Sequence, residues 1–299
     1  MHRPIRIVRF VLFLLFIGLL TYLPARLLFH KQTIVSPLPD ETKKSATEEK
    51  NRNPAELKKK IQETIGTLWK NYSVYVKDLK GNFDMGINET VIFTAASVNK
   101  IPIFVALYEG IEKASIDPDK TITVEKKDIQ DYGTGSIRYD PPGSTYSIKS
   151  LARLMMQKSD NTAAYILSKY IVGDDDVQTY MKELGLIQTD LANNKTSNKD
   201  MATLLTLIYN GKIAKPALTA EMFSLLKDSD FEARLPALLP TGTTVYHKIG
   251  NEVGNVHDVG IVVSGDRAYY IGILTSDVTD EEETEKLEAE ISKIVFDFL

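Results

Sequence analysis

The apolar residues of this chain switch period along its length, and the order of the switches restricts the folds open to it. Strand-like alternation occurs at 72–79 and 83–87, divided by the turn Lys80-Gly81-Asn82, and returns at 243–249, 256–264 and 268–275. Between these blocks helical spacing prevails, over 98–110, 148–158, 161–171, 175–184, 198–210 and 219–227. A period of 2 puts alternate side chains on opposite faces of a strand, and a period near 3.6 draws one stripe along a helix. Two more helices bracket the whole. Asn53-Pro54 starts one, with Leu57, Ile61, Ile65 and Leu68 on its apolar face. Thr279 with Glu282 predicts a capping box for the other, which carries Leu287, Ile291, Ile294, Val295 and Phe298. Strands joined by short turns pair antiparallel. The predicted fold is therefore α/β of the α+β type. A five-stranded antiparallel sheet is flanked by N- and C-terminal helices, and an all-helical lobe is inserted at about 98–228. A functional site is expected in the cleft between lobe and sheet.

Ahead of this body stands a segment of different character. Arg3, Arg6 and Arg9 precede an uncharged run from Phe10 to Ala25, and Arg9 and Arg26 can snorkel to extend it. Arginines before the run favour a cytoplasmic N-terminus and an exported body. Residues 1–30 are thus expected to be a membrane anchor, or a signal segment cleaved on export, although no small-x-small cleavage site follows. Residues 31–53 are polar and charged and read as a flexible linker. The folded domain is expected at 54–299, with its site in the periplasm or at the cell surface.

Composition removes several function classes. A net charge of −4 and a pI near 5.7 offer no basic field for nucleic acid. The chain has no cysteine, so thiol nucleophiles, thiolate metal sites and lipoprotein anchors are excluded. The histidines (His2, His30, His247, His257) are scattered without an HExxH pair, so no metal and no cofactor is expected. A monomer acting on a small molecule is expected.

Three short motifs carry chemistry. Ser97-Val98-Asn99-Lys100 puts a hydroxyl and an amine three residues apart, on one side of a helix start. Serine needs a neighbouring base to attack at neutral pH, and a desolvated lysine can supply one. The ordinary alternative is a surface serine and lysine, and Ser224 with Lys227 repeats the spacing. Ser159-Asp160-Asn161 falls between two helical runs. It can relay a proton and hold a substrate amide, or simply cap the next helix. Lys248-Ile249-Gly250 ends a strand. Lys248 can hold a substrate carboxylate while Gly250 lets substrate lie close, or Lys248 can be a solvated edge lysine.

In this order the three motifs resemble the class A β-lactamase and penicillin-binding D,D-peptidase superfamily, over roughly 57–299. Lys158 to Ala164, Thr196-Ser197 through Met201-Ala202, and His257 to Val262 are similar to further stretches of that family. The resemblance implies Ser97 as nucleophile, Lys100 as its base, and Ser159 as proton donor to the leaving nitrogen. It implies Asn161, Lys248 and Gly250 as substrate contacts, and an oxyanion hole of the Ser97 and Asn251 N–H groups. Tyr132, in the loop Asp131-Tyr-Gly-Thr-Gly-Ser136, would line the cleft or be an ordinary core or surface tyrosine, and Asp258 would be structural.

Two departures qualify what the resemblance implies. Ile249 stands where that family has Thr or Ser, which removes a hydrogen bond worth about 1.5–3 kcal/mol to an anionic substrate. The family's Ω-loop is also cut short. No glutamate occurs between Glu183 and Glu221, and Asp190 is the one carboxylate in the short loop. Acylation of Ser97 by a β-lactam or related amide is expected, and rapid deacylation is not. The alternatives are a D-Ala-D-Ala carboxypeptidase acting on peptidoglycan stem peptides, and a binding or scaffold module whose catalysis has decayed.

Overall fold

The structure, a computed structural model, describes residues 52–299. The expected anchor or signal segment at 1–30 and nearly all of the linker at 31–53 lie outside the described residues. Helix α1 (Pro54–Ile65) starts as the sequence predicts: Asn53 accepts from Ala55 N at its N-cap, and Pro54 occupies the first turn. Strands β1 (Asn71–Asp78) and β2 (Asp84–Ile87) follow. The chain returns to the sheet as β7 (Thr244–Glu252), β8 (Asn255–Ser264) and β9 (Arg267–Ser276), and ends in α8 (Glu281–Phe298). All five strands form one antiparallel sheet in the order β2-β1-β9-β8-β7, so β7 is an edge.

Both faces of this sheet are buried, and the alternation along each strand sorts two cores. On β1, Val74 and Val76 pack toward α1 and α8 with Leu57, Ile61 and Ile291, while Tyr75 joins the helical lobe. On β9, Tyr269, Ile271 and Ile273 belong to the first core, and Ala268, Tyr270 and Leu274 to the second. At about 25 cal/mol per Å² of apolar area, these two cores supply the main driving force for joining lobe, sheet and terminal helices.

The lobe holds α2 (Lys100–Glu112), α3 (Ile148–Gln157), α4 (Asn161–Ile166), α5 (Asp174–Glu183), α6 (Asn198–Tyr209) and α7 (Pro216–Leu225). Helix α2 is buried almost all round, which suits its continuous apolar sequence and makes it the lobe's centre.

Several boundaries differ from expectation. Asp280, not Thr279, caps α8 by accepting from Glu283 N at 2.9 Å, so the helix starts one residue later than the Thr279–Glu282 box predicts. The helix predicted over 161–171 is α-helical only to Ile166 and widens into a π turn at Leu167–Val172, which Gly173 ends at φ +94°. The helix expected at 219–227 runs over Pro216–Leu225, because Pro216 is favoured in its first turn. Two short strand pairs lie outside the main sheet: β3 (Ile92–Thr94), just ahead of the lobe, with β6 (Lys195–Ser197), and β4 (Thr121–Thr123) with β5 (Thr145–Ser147). Ser197 caps α6, which runs over Asn198–Tyr209 close to the predicted 198–210.

Candidate active site

The chain enters the site through β3. Ala95 N donates to Asn194 O at 2.8 Å, and Ala96 takes a left-handed φ of +47°, which turns the backbone sharply into a 3-10 turn over Ala96–Asn99. Ser97 sits on this turn, immediately ahead of the helix as expected, although the α-helix itself begins at Lys100 and not at 98. The three-residue spacing still brings the two side chains together, with Lys100 Nζ 3.1 Å from Ser97 Oγ.

Lys100 is only 6% exposed, and its amine is the hub of the site. It also donates to Ser159 O at 2.6 Å and to Asn161 Oδ1 at 2.7 Å, and lies 3.1 Å from Ser159 Oγ. Burial lowers its pKa to about 7, partly opposed by the charge of Asp160. Near neutrality a good fraction of this lysine is therefore an amine able to take a proton.

The second motif is wrapped by the loop 131–136. Thr134 Oγ1 donates to Ser159 O at 2.8 Å, and Asn161 N donates to Thr134 O at 3.1 Å. Ser136 N and Ile137 N donate to Asp160 Oδ2 at 2.6 and 2.9 Å. A Cβ at Gly133 would come within 2.6 Å of Asn161 Nδ2, and one at Gly135 within 2.6 Å of the Asp160 carboxyl. Only glycine permits that approach at φ +61° and +131°. Asp160 also caps α4 by accepting from Ala163 N at 2.9 Å, so the capping and chemical readings of this motif coexist. Ser159 takes φ +51° and is 1% exposed. Tyr132 meets the site through its backbone: its carbonyl accepts from Asn161 Nδ2 at 2.9 Å, while the residue is 63% exposed.

The third motif closes the constellation. Lys248 lies on the edge strand β7 but is only 2% exposed, so it is not a solvated edge lysine. Its ammonium donates to Ser159 Oγ at 2.9 Å and to Ile249 O at 3.1 Å. Burial, then the nearby Lys100, pushes its pKa well below the usual lysine value. Ser159 Oγ is thus flanked by two lysine nitrogens. Gly250 brings the strand against the serine's turn: a Cβ there would be 3.1 Å from Ala95 O and 3.2 Å from Val98 N. Because those are backbone atoms beside Ser97, Gly250→Ala is expected to displace the turn and lower the acylation rate about 10²-fold. An unchanged rate by stopped flow would contradict this.

The sequence profile of the β-lactamase enzyme family matches residues 56–299. The chain belongs to that family. As a member of the β-lactamase enzyme family it is a serine hydrolase working through an acyl-enzyme. A β-lactamase of Bacteroides uniformis is 24% identical over 84% of this chain and 94% of its own length. β-Lactamase VEB-1 of Pseudomonas aeruginosa is 25% identical over 71% of this chain and 80% of its own length. Among solved structures, PBP-A superposes with a TM-score of 0.75 at 25% identity, over 81% of this chain and 95% of its own. The TLA-1 extended-spectrum β-lactamase shares the fold at a TM-score of 0.76 and 24% identity, over 82% of this chain and 98% of its own.

The remaining features concern this β-lactamase family member's short loop and third strand. The carboxylate of Asp190 is turned to Asn193, accepting from its N at 3.0 Å and Nδ2 at 2.8 Å, and these bonds hold it below the usual range. Among the described residues no carboxylate hydrogen-bonds Ser97, Lys100 or Ser159. Asp258 is fully buried and accepts from Leu235 N at 3.2 Å. Asn251 is clamped by its side chain, accepting from Arg234 and donating to Glu281. Sequence reasoning missed Arg234, Gly133, Thr134 and Gly135. The Gly-Thr-Gly repeat was the one available signal for the loop, and nothing in the sequence marks Arg234. A hollow of about 430 Å³ behind β3, bordered by Lys70, Tyr72, Ile92 and Lys195, contains none of the motif side chains. Among the described residues no helix is long and apolar enough to cross a membrane.

Proposed function

We propose that this protein is an extracytoplasmic serine hydrolase whose Ser97 is acylated by a β-lactam or a related amide and is released slowly. One observation carries the reading: the buried Lys100 amine lies 3.1 Å from both Ser97 Oγ and Ser159 Oγ, between the nucleophile and a proton carrier. Neutral Lys100 takes the Ser97 proton as Oγ attacks the carbonyl carbon. Negative charge then develops on the carbonyl oxygen, facing the N–H groups of Ser97 and Asn251, each worth about 3 kcal/mol as an oxyanion donor. Ser159 gives its proton to the leaving nitrogen and is resupplied from Lys100, while Lys248 keeps Ser159 oriented and polarised. Asn161 holds the Lys100 amine in register and contacts substrate. Tyr132 lines the rim, and Gly250 lets substrate lie along β7.

Slow release follows from the short loop. The one carboxylate it carries, Asp190, is committed to Asn193, which leaves hydrolytic water without a carboxylate base from that loop. The same observation favours a second reading, a D-Ala-D-Ala carboxypeptidase-like protein. Its support includes a PBP-A variant described as an acyl-enzyme complex with penicillin G, at 25% identity to this chain. The Arg-flanked apolar run at 10–25 supports placement by a membrane anchor, or secretion after signal cleavage.

Intact-mass measurement with a fluorescent penicillin tests the proposal. A covalent adduct that persists for hours, and is lost in Ser97→Ala, is the expected result. An adduct that clears within seconds would show that another group activates water. No adduct at all would leave the decayed binding module as the better account.

A further inference from the structure

The third motif has a second face. His247 directly precedes Lys248 on β7, so strand alternation sends its side chain the other way. Its ring is fully buried, with Nδ1 2.9 Å from both carboxylate oxygens of Asp258 on β8. Nε2 lies 3.4 Å from Glu232 Oε1 and 3.5 Å from Ser229 Oγ, in the segment that joins α7 to β7. Ser229, His247 and Asp258 share the outline of a nucleophile–base–acid relay, but their hydrogen bonds run the wrong way. Ser229 gives its N–H and its O–H to Glu232 Oε1, at 2.9 and 3.0 Å. The ring nitrogen that would need a free lone pair faces a carboxylate instead. A ring with a carboxylate at each nitrogen carries a hydrogen on both, and is an imidazolium.

The segment so attached reaches the cleft. Phe231 N donates to Ser229 Oγ at 3.1 Å, and the Phe231 ring centroid lies 5.9 Å from Lys248 Nζ. We propose that His247 is a protonated positioning residue: held between Asp258 and Glu232, its imidazolium pins the 229–235 segment, and with it Phe231, against the Lys248 end of the cleft. The effect on substrate rests on the acylation reading given above; the protonation and the pinning do not.

Charged groups surround the ring on every side. Asp258 comes from β8, Glu232 and Arg234 from the pinned segment, and Lys248 from its own strand, while α8 contributes Glu288, whose charge burial disfavours. Burial opposes the ring's charge, but Asp258 and Glu232 outweigh it and raise His247 to about 9. Glu232 is partly buried, yet His247 draws it below the usual carboxylate range. Because the folded value exceeds the free imidazole value of about 6.5, the stabilisation is complete below that pH and is lost as pH rises through about 9.

Nitrogen-15 NMR of His247 in the full chain, from about pH 6 to about pH 10, tests this together with amide exchange at Phe231. The doubly protonated ring should persist at neutral pH and titrate near 9, with Phe231 protection falling across the same midpoint. Glu232→Gln, at a half-exposed position that leaves the fold intact, should bring the midpoint down by about one unit. It should also lower the second-order rate constant for acylation by a penicillin severalfold, through weaker initial binding with the maximal acylation rate retained. A neutral ring at neutral pH would overturn the proposal, as would Phe231 protection indifferent to the His247 titration. If penicillin fails to acylate Ser97 while the NMR result holds, the functional reading fails and the pinning stands.

Discussion

Lys100→Met is expected to slow acylation of Ser97 by about 10²–10⁴-fold, the usual contribution of a positioned base. It should also abolish the rise of acylation rate through about pH 7, where burial has placed the Lys100 titration. The sign follows from the role: only the neutral amine accepts the serine proton, so wild-type acylation climbs as pH passes that value. Methionine keeps the unbranched stem and fills the buried space, so the substitution removes the nitrogen with little change of volume. It leaves Asn161 Oδ1 without this donor and Ser159 O with Thr134 Oγ1 alone, which costs about 1–3 kcal/mol of stability and must be measured alongside. Lys248 cannot take over: its nitrogen bonds Ser159 and Ile249 O, not Ser97. Stopped-flow acylation by a chromogenic penicillin across pH 5 to 9 makes the comparison. A variant within tenfold of wild type that keeps its pH dependence would remove Lys100 from the role of base.

The fold was legible because its signals are repetitive. Val74, Tyr75 and Val76 alternate between two cores, and Leu57, Ile61 and Ile65 mark one helical stripe; both patterns survive in the sequence. Three-residue strands carry no period, so β3–β6 and β4–β5 were invisible, as was the 3-10 turn that holds Ser97. The π turn after Ile166 could not be distinguished from a helix, because its residues have ordinary helical spacing. The three motifs located the site because each pairs residue types that chemistry requires. What supports the motifs was silent. Gly133 and Gly135 matter because backbone passes close to side chains remote in sequence, and His247 matters for the carboxylates that folding sets against it. Such groups acquire meaning only once the chain is closed on itself.

Arg234→Met is expected to destabilise the protein by about 3 kcal/mol, the scale for breaking a buried ion pair from one side. Arg234 is 2% exposed and holds three elements at once. Its Nε and Nη2 donate to Glu285 on α8 at 3.1 and 2.8 Å, Nη1 donates to His257 O on β8 at 2.7 Å, and Nη2 also donates to Asn251 at the end of β7. Glu288 stands 3.7 Å from Nε but has no hydrogen-bond partner on either oxygen, and burial holds it well above the usual carboxylate range. Burial thus favours its neutral form, and the hydrogen-bonded ion pair is the one with Glu285. Two consequences separate this account from a simple charge count. Glu288→Gln should be nearly silent, within about 1 kcal/mol, since it replaces one uncharged group by another of the same shape. Arg234→Met should lower the melting temperature by about 6–12 °C, at 2–4 °C per kcal/mol for a domain of this size. It should also slow acylation at temperatures where the protein remains folded, because the clamp on Asn251 fixes the strand end whose N–H is the proposed oxyanion donor. Thermal unfolding and acylation measured on both variants decide it. Equal losses in the two would mean that Glu288 is charged and that Arg234, Glu285 and Glu288 form one ion cluster. A silent Arg234→Met would mean that β7 is held by its pairing with β8 alone.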